Sequence, residues 1–235
     1  MQIKDIQMAL ADQGFDPGPV DNVYGPLTRR AIMAFQASRG LAVDGIVGPH
    51  ARAALFGGAP GAISAIATIP TELPWLAQAH RLLGVVEFPG QGVSNPVIDT
   101  WARVLTIRCS GDDVPWCGMF MAHCLATCLP EDPIPSNPLG ARNWGKYGTG
   151  VAPQFGAIMV FWRGSKAGTK GHVGLYWAED ATHFHVLGGN QSNSVSVVRV
   201  ARNRLLGARW PAARPLSGLR RLASAEGVVT GVAEA

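Results

Sequence analysis

The sequence predicts an α+β protein in two parts. A small three-helix N-terminal domain comes first, then a linker, then a larger domain with helices packed on an antiparallel sheet. Three observations predict this. The pattern Val-Asp-x-x-x-Gly-Pro occurs twice, at Val20–Pro26 and 23 residues later at Val43–Pro49. A stretch of Gly, Ala and Pro begins at Gly57-Gly58-Ala59-Pro60-Gly61-Ala62. After Phe155-Gly156 the hydrophobic period shortens from that of helices to that of strands. The expected boundaries are 1–57 for the first domain, 58–71 for the linker, 72–211 for the second domain and 212–235 for a weakly ordered tail or short helix.

In the first part, each repeated turn feeds a helical pattern, Thr28 to Ser38 and His50 to Leu55. Asp and Asn bond their own backbone in turns, glycine takes the left-handed position and proline suits a first helical turn. Ile6, Ala9 and Leu10 fall on one face of an opening helix, and Ala31, Ile32 and Phe35 on one face of the next. The repeated Asp and Gly residues are turn architecture. The linker has no periodicity and reads as a semi-flexible connection.

In the second part, helical patterns run from Pro74 to Leu83 and from Pro96 to Val104. A third covers the apolar run Met119 to Leu129. Asp112, Asp113 and Pro115 precede that run and mark a helix start. Cys117 then falls in the first turn, where free N–H groups and the helix dipole favour a thiolate. Leu129 to Pro138 and Asn143 to Gly148 read as loops, the second with aromatics that could wall a cleft. Ala157 to Trp162, Val173 to Trp177, His183 to Leu187 and Val195 to Val200 read as strands.

Composition bounds the chemistry. Of 235 residues, 47% are hydrophobic and 15% charged, enough apolar material for packed cores. Net charge is +4 with pI about 9.1, which suits an anionic polymer. The nearest thing to a basic run is the pair Arg220-Arg221, so no nucleic-acid partner is expected. No apolar stretch reaches the roughly 18 residues of a membrane span. Met1 to Ile6 lacks the basic start and apolar core of a signal peptide. Work outside the cytoplasm would then need another route of delivery.

Of four cysteines, Cys109, Cys117, Cys124 and Cys128, none form Cys-x-x-Cys, and the last three share one helix face. A zinc ribbon is therefore not expected, and one reactive cysteine with three packed ones is. Gly171-His172-Val173-Gly174 opens a strand with a histidine exposed enough to meet a partner. A thiol at a helix N-terminus facing such a histidine is an arrangement that cleaves amides, the imidazole taking the thiol proton and returning it to the leaving amine. A third group must orient the ring. The candidates are Asn190, in Gly188-Gly189-Asn190-Gln191, and His183 or His185. As a rival chemistry, His183 and His185 on one strand face could join His172 in a three-histidine zinc site. A glycosidase would need opposed carboxylates, and no motif surrounds Glu72, Glu87, Asp99 or Asp180.

Two resemblances follow from these residues. Leu10 to Phe15, both repeated turns, Thr28, Ala31 and Phe35-Gln36 resemble the three-helix peptidoglycan-binding domain found on wall hydrolases, over residues 3–56. Pro115-Trp116-Cys117-Gly118-x-Phe120, Gly156 to Phe161, Gly171 to Gly174 and Leu187 to Gln191, in that order, resemble the papain-like wall hydrolases of the CHAP and NlpC superfamily, over residues 72–211. Ala157 departs from the aspartate usual in that family. The resemblance implies Cys117 as nucleophile, His172 as base and Asn190 as orienting group, with His185 as the alternative of the NlpC branch. It implies no cofactor and no metal. Bacterial peptidoglycan is the expected partner, and an amidase or endopeptidase the expected activity. The layout resembles an endolysin delivered through a holin, a virion or a secretion machine. The alternative is a non-catalytic wall-binding component of a phage-like particle.

Overall fold

The computed structural model describes residues 2–39, 41, 45–57, 69–87, 95–107, 114–224 and 229–234. The chain divides into two compact units, Met1–Ser64 and Ala65–Ala235. The expected linker lies largely outside the described residues, as do Asp112, Asp113 and Cys109.

The first unit holds three helices, α1 (Ile3–Asp12), α2 (Pro26–Ser38) and α3 (Pro49–Phe56). Pro26 and Pro49 open their helices, where a missing N–H costs nothing, and Gly57 closes α3 at φ 66°. Leu10, Ile32 and Phe35 are fully buried, and the rings of Phe15 and Phe35 meet edge to face at 5.6 Å.

Two buried glutamines tie this core to the repeated turns. Gln7 Nε2 donates to Pro19 O, Val23 O and Asp21 Oδ1 at 2.9–3.0 Å, and Gln7 Oε1 accepts from Asn22 N. In the second turn, Gln36 Oε1 accepts from Gly45 N and its Nε2 donates to Ile46 O, both at 2.8 Å. Asp21 also accepts from Val23 N at 2.9 Å. Its carboxyl is held below its ordinary pKa by the Gln7 amide and that N–H. The first turn is thus held by its own aspartate and a helix glutamine.

The second unit packs α4 (Pro74–Arg81), α5 (Pro96–Val104) and α6 (Cys117–Cys128) with an eight-stranded sheet. The strands are β1 (Thr149–Val151), β2 (Ile158–Trp162), β3 (Gly171–Glu179), β4 (His183–Gly188), β5 (Ser196–Ala201), β6 (Leu205–Trp210), β7 (Leu219–Ala223) and β8 (Val229–Glu234). Their order is β1-β6-β2-β3-β4-β5, and β7 joins β3 and β8 off this path. All pairings are antiparallel except the short β3–β7 contact at Glu179↔Leu222. The protein is therefore a mixed helix and antiparallel-sheet fold with an N-terminal helical unit.

Three expectations are corrected here. Residues 219–223 and 229–234, expected in a weakly ordered tail, are strands. The reason lies in long-range contacts: Arg220 is ion-paired with buried Glu179, and Arg221 lies between the rings of Phe155 and Trp177 at 4.5 and 4.9 Å. The stretch expected as an aromatic loop is mostly a 3-10 helix, Ala141–Lys146, followed by β1. Trp144 and Tyr147 are buried there, so they fill core instead of walling a cleft.

Candidate active site

Cys117 is the first residue of α6, after Trp116 as N-cap. Two tight contacts fix this helix start. A Cβ on Gly118 would lie 1.9 Å from Pro138 O, so no larger residue can follow the cysteine. The same carbonyl accepts from Trp144 Nε1 at 2.9 Å. Trp116 Nε1 donates to Glu87 Oε2 at 3.1 Å, and the Trp116 ring packs against Trp101.

The thiol meets the start of β3. The β3–β4 register begins at Leu175↔Leu187, so the Val173 amide lies beyond the paired part of β4. The backbone N–H groups of Val173, Gly118 and Cys117 itself act on the thiol, each lowering its pKa. Cys117 is thus adjacent to the residue that follows His172. It is 3% exposed, and burial pushes its thiol up in pKa, only partly offset by these N–H groups and the Arg163 cation.

His172 is buried, and its pKa is lowered to about 4, chiefly by desolvation, with the Gln191 hydrogen bond acting in the opposite sense. Both shifts favour the neutral thiol and neutral imidazole. The expectations of a thiolate and of an exposed histidine are therefore corrected: burial outweighs the helix N-terminus.

The group on the imidazole is Gln191. Its Oε1 lies 2.8 Å from His172 Nε2. The amide cannot be turned over, because its Nε2 donates to Val186 O at 3.2 Å and Ser196 O at 2.5 Å. The oxygen must face the ring, so His172 Nε2 carries the proton. His172 Nδ1 is then an unprotonated acceptor, buried and without a hydrogen-bond partner among the described residues. Such an orphan marks a site where a proton can be received.

Asn190, the expected orienter, makes no hydrogen bond to His172 among the described residues. It sits at φ 54°, and Ser192 and Asn193 follow at 52° and 57°. Three non-glycine residues in the left-handed region are a strained run, held where the surroundings over-determine it. The main chain of Gln191 is pinned by Gln191 N to Ser194 O at 2.9 Å and Ser194 Oγ to Gln191 O at 2.8 Å. Gly189 presses on α6, since a Cβ there would sit 2.6 Å from both Phe120 Cβ and Trp116 Cζ3. The loop delivers Gln191, and Asn190 serves its turn. The signal was the amide one residue on, in the same Gly-Gly-Asn-Gln stretch.

His185 is engaged elsewhere: its Nε2 lies 2.9 Å from Asp180 Oδ2, which also accepts from Arg199 Nε at 2.8 Å. His183 Nδ1 lies 2.8 Å from Thr182 Oγ1. With His172 on Gln191, the three histidines do not converge, and among the described residues no group of three metal-ligating side chains forms. A cleft of about 490 Å³ lined by Arg142, Val160, Gly207 and Arg209 is separate from Cys117 and His172.

Comparison with known proteins adds two findings. A family model of the peptidoglycan-binding domain matches residues 2–55. The chain is 33% identical over 97 residues to a Mycobacterium tuberculosis (strain ATCC 25618 / H37Rv) protein named N-acetylmuramoyl-L-alanine amidase CwlM. That match covers 38% of this chain and 23% of the relative. No solved structure matches. The chain thus carries an N-terminal peptidoglycan-binding domain. Among the described residues no helix is long and apolar enough to cross a membrane.

Proposed function

We propose that this protein is a peptidoglycan hydrolase that cuts an amide bond through Cys117, in a papain-like second domain. The observation that carries the reading is the fixed tautomer of His172: Gln191 holds its Nε2–H and leaves a bare Nδ1 at the strand start beside Cys117. His172 Nδ1 takes the thiol proton as sulfur attacks the carbonyl, and the Cys117 N–H donates to the developing oxyanion. The amine leaves with the proton from His172. Water, deprotonated by the same nitrogen, then releases the acyl group. Gln191 is a positioning residue, stabilising the imidazolium without adding charge.

The peptidoglycan-binding domain concentrates this chemistry at the polymer. The similarity to a protein named as an N-acetylmuramoyl-L-alanine amidase supports the sugar–peptide amide as the bond cut, with a bond inside the stem as the other choice. Lysis of the endolysin kind, after delivery through a holin or particle, fits the layout. Burial of Cys117 favours one second reading, a wall-binding component without turnover. Digestion of purified sacculi separates the two. The full chain should release soluble fragments that mass spectrometry resolves, and Cys117→Ala should release none while still pelleting with the wall. Equal release by both proteins overturns the thiol mechanism, and release by neither supports the binding component.

A further inference from the structure

The β2–β3 hairpin sets two cations beside the candidate site. Phe161 pairs with His172, and Trp162 with Gly171. The pairing continues one step further through Arg163 N to Lys170 O at 3.1 Å. The two-residue period of strands places Arg163 and Lys170 on the face that Phe161 and His172 occupy. Arg163 is then a diagonal cross-strand neighbour of His172, within reach of a long side chain. Both cations are exposed, and neither meets a carboxylate among the described residues.

The hairpin is held still. The Arg142 guanidinium donates to the carbonyls of Lys170, Lys166 and Ser165 at 2.9, 3.0 and 2.9 Å. A Cβ on Gly171 would lie 2.9 Å from Arg142 Cγ, so that side chain lies flat on the strand start. Arg142 is spent on backbone, while the Arg163 and Lys170 side chains make no hydrogen bond among the described residues. The Arg163 field reaches both Cys117 and His172. A cation there opposes the imidazolium, so it is costly for the proton transfer itself. Its use is with an anion in place.

We propose that Arg163, assisted by Lys170, forms a carboxylate subsite for a peptide stem that carries a free carboxylate within reach of the scissile amide. The proposal rests on the peptidoglycan reading and specifies its substrate. A planar guanidinium matches a carboxylate bidentately, and the bound anion screens the imidazolium from the arginine charge. A stem with that carboxylate amidated would lose the pairing and leave the cation beside His172 unshielded.

The test uses the full chain and two soluble muropeptides. One has the carboxylate free, and the other has it converted to the primary amide. Binding is measured by titration calorimetry on Cys117→Ala, so that turnover is not needed. The free acid should bind about 10-fold more tightly, the low end for a charge-assisted pair at an exposed site. That preference should shrink with salt and vanish in Cys117→Ala/Arg163→Gln, with Lys170→Gln intermediate. Equal affinity for the two muropeptides, or none for either, overturns the subsite. So does a preference that Arg163→Gln leaves unchanged. If the preference holds while the unmutated protein hydrolyses neither muropeptide, the subsite stands and the hydrolase reading falls.

Discussion

Replacing Gln191 by leucine removes the amide and keeps most of the volume. Three groups lose their partner: His172 Nε2–H, Val186 O and Ser196 O. Gln191 is 6% exposed, so water cannot easily replace it. At roughly 1 kcal/mol or more for each buried group left unsatisfied, the second unit should lose about 3 kcal/mol. For a domain of this size that lowers Tm by about 6–12 °C, readable by calorimetry. The chemical effect is separate. Without an acceptor on Nε2, the ring can turn or change tautomer and hide its lone pair from Cys117. Turnover on soluble muropeptides should fall by about 10- to 1000-fold, the range of general acid–base assistance. The pH profile distinguishes positioning from packing. The Gln191 bond raises the His172 pKa against desolvation. Its loss should move the acid limb of kcat/KM below the value of about 4 set by His172. Asn190→Ala should leave both limb and turnover near normal. A folded Gln191→Leu protein with unchanged kcat/KM, or an Asn190→Ala protein that is the crippled one, would refute the assignment.

Burial also gives a pH dependence of stability. His172 and His123 are both lowered from 6.5 to about 4, each by desolvation first. The unfolded chain therefore binds their protons before the folded one does. Stability is full above about pH 6.5 and drains as pH falls toward 4. The His172 share is on the order of 3 kcal/mol, and His172→Gln should flatten the Tm profile across that window. For Gly189→Ala, the new Cβ at 2.6 Å from Phe120 Cβ should cost about 1–3 kcal/mol, measured by urea unfolding, with a drop in turnover as Gln191 shifts. An unchanged midpoint would mean that the loop yields freely. Iodoacetamide on the native protein should label half-buried Cys128 before buried Cys117 and Cys124, by peptide mass mapping. Faster labelling of Cys117 would show a more open thiol.

What was legible in the sequence was what local chemistry decides. Pro26 and Pro49 announced their helices, and the Cys117 helix was visible as an apolar run behind Trp116-Cys117-Gly118. Four strands were legible from β-branched content. β6 was not, because Gly207 and Arg209 interrupt Leu205 to Trp210. The tail shows no strand pattern in sequence, because from about Ala212 the composition turns to small residues with scattered charge. Arg220's partner, Glu179, is 41 residues away in sequence and becomes adjacent only when β7 meets β3.

In the proposed site the group on the His172 ring is Gln191, one residue from Asn190, and that offset has a physical cause. Asparagine suits a glycine-flanked turn, and Asn190 takes the left-handed conformation that turn requires. Its backbone is spent on reversing the chain, and it makes no hydrogen bond to the ring among the described residues. Gln191, still inside the loop, has a longer side chain that spans to both His172 and the β4–β5 backbone. Ionisation was harder still. The N–H groups at the start of α6 are where the sequence puts them and do favour a thiolate, yet desolvation exceeds them. Burial depends on what the whole domain lays over the site, so no motif around Cys117 encodes it. In the mechanism we propose, a neutral resting pair makes proton transfer part of the attack. That mechanism needs a fixed tautomer on His172 more than a preformed ion pair, and the Gln191 amide oxygen on Nε2 fits that need.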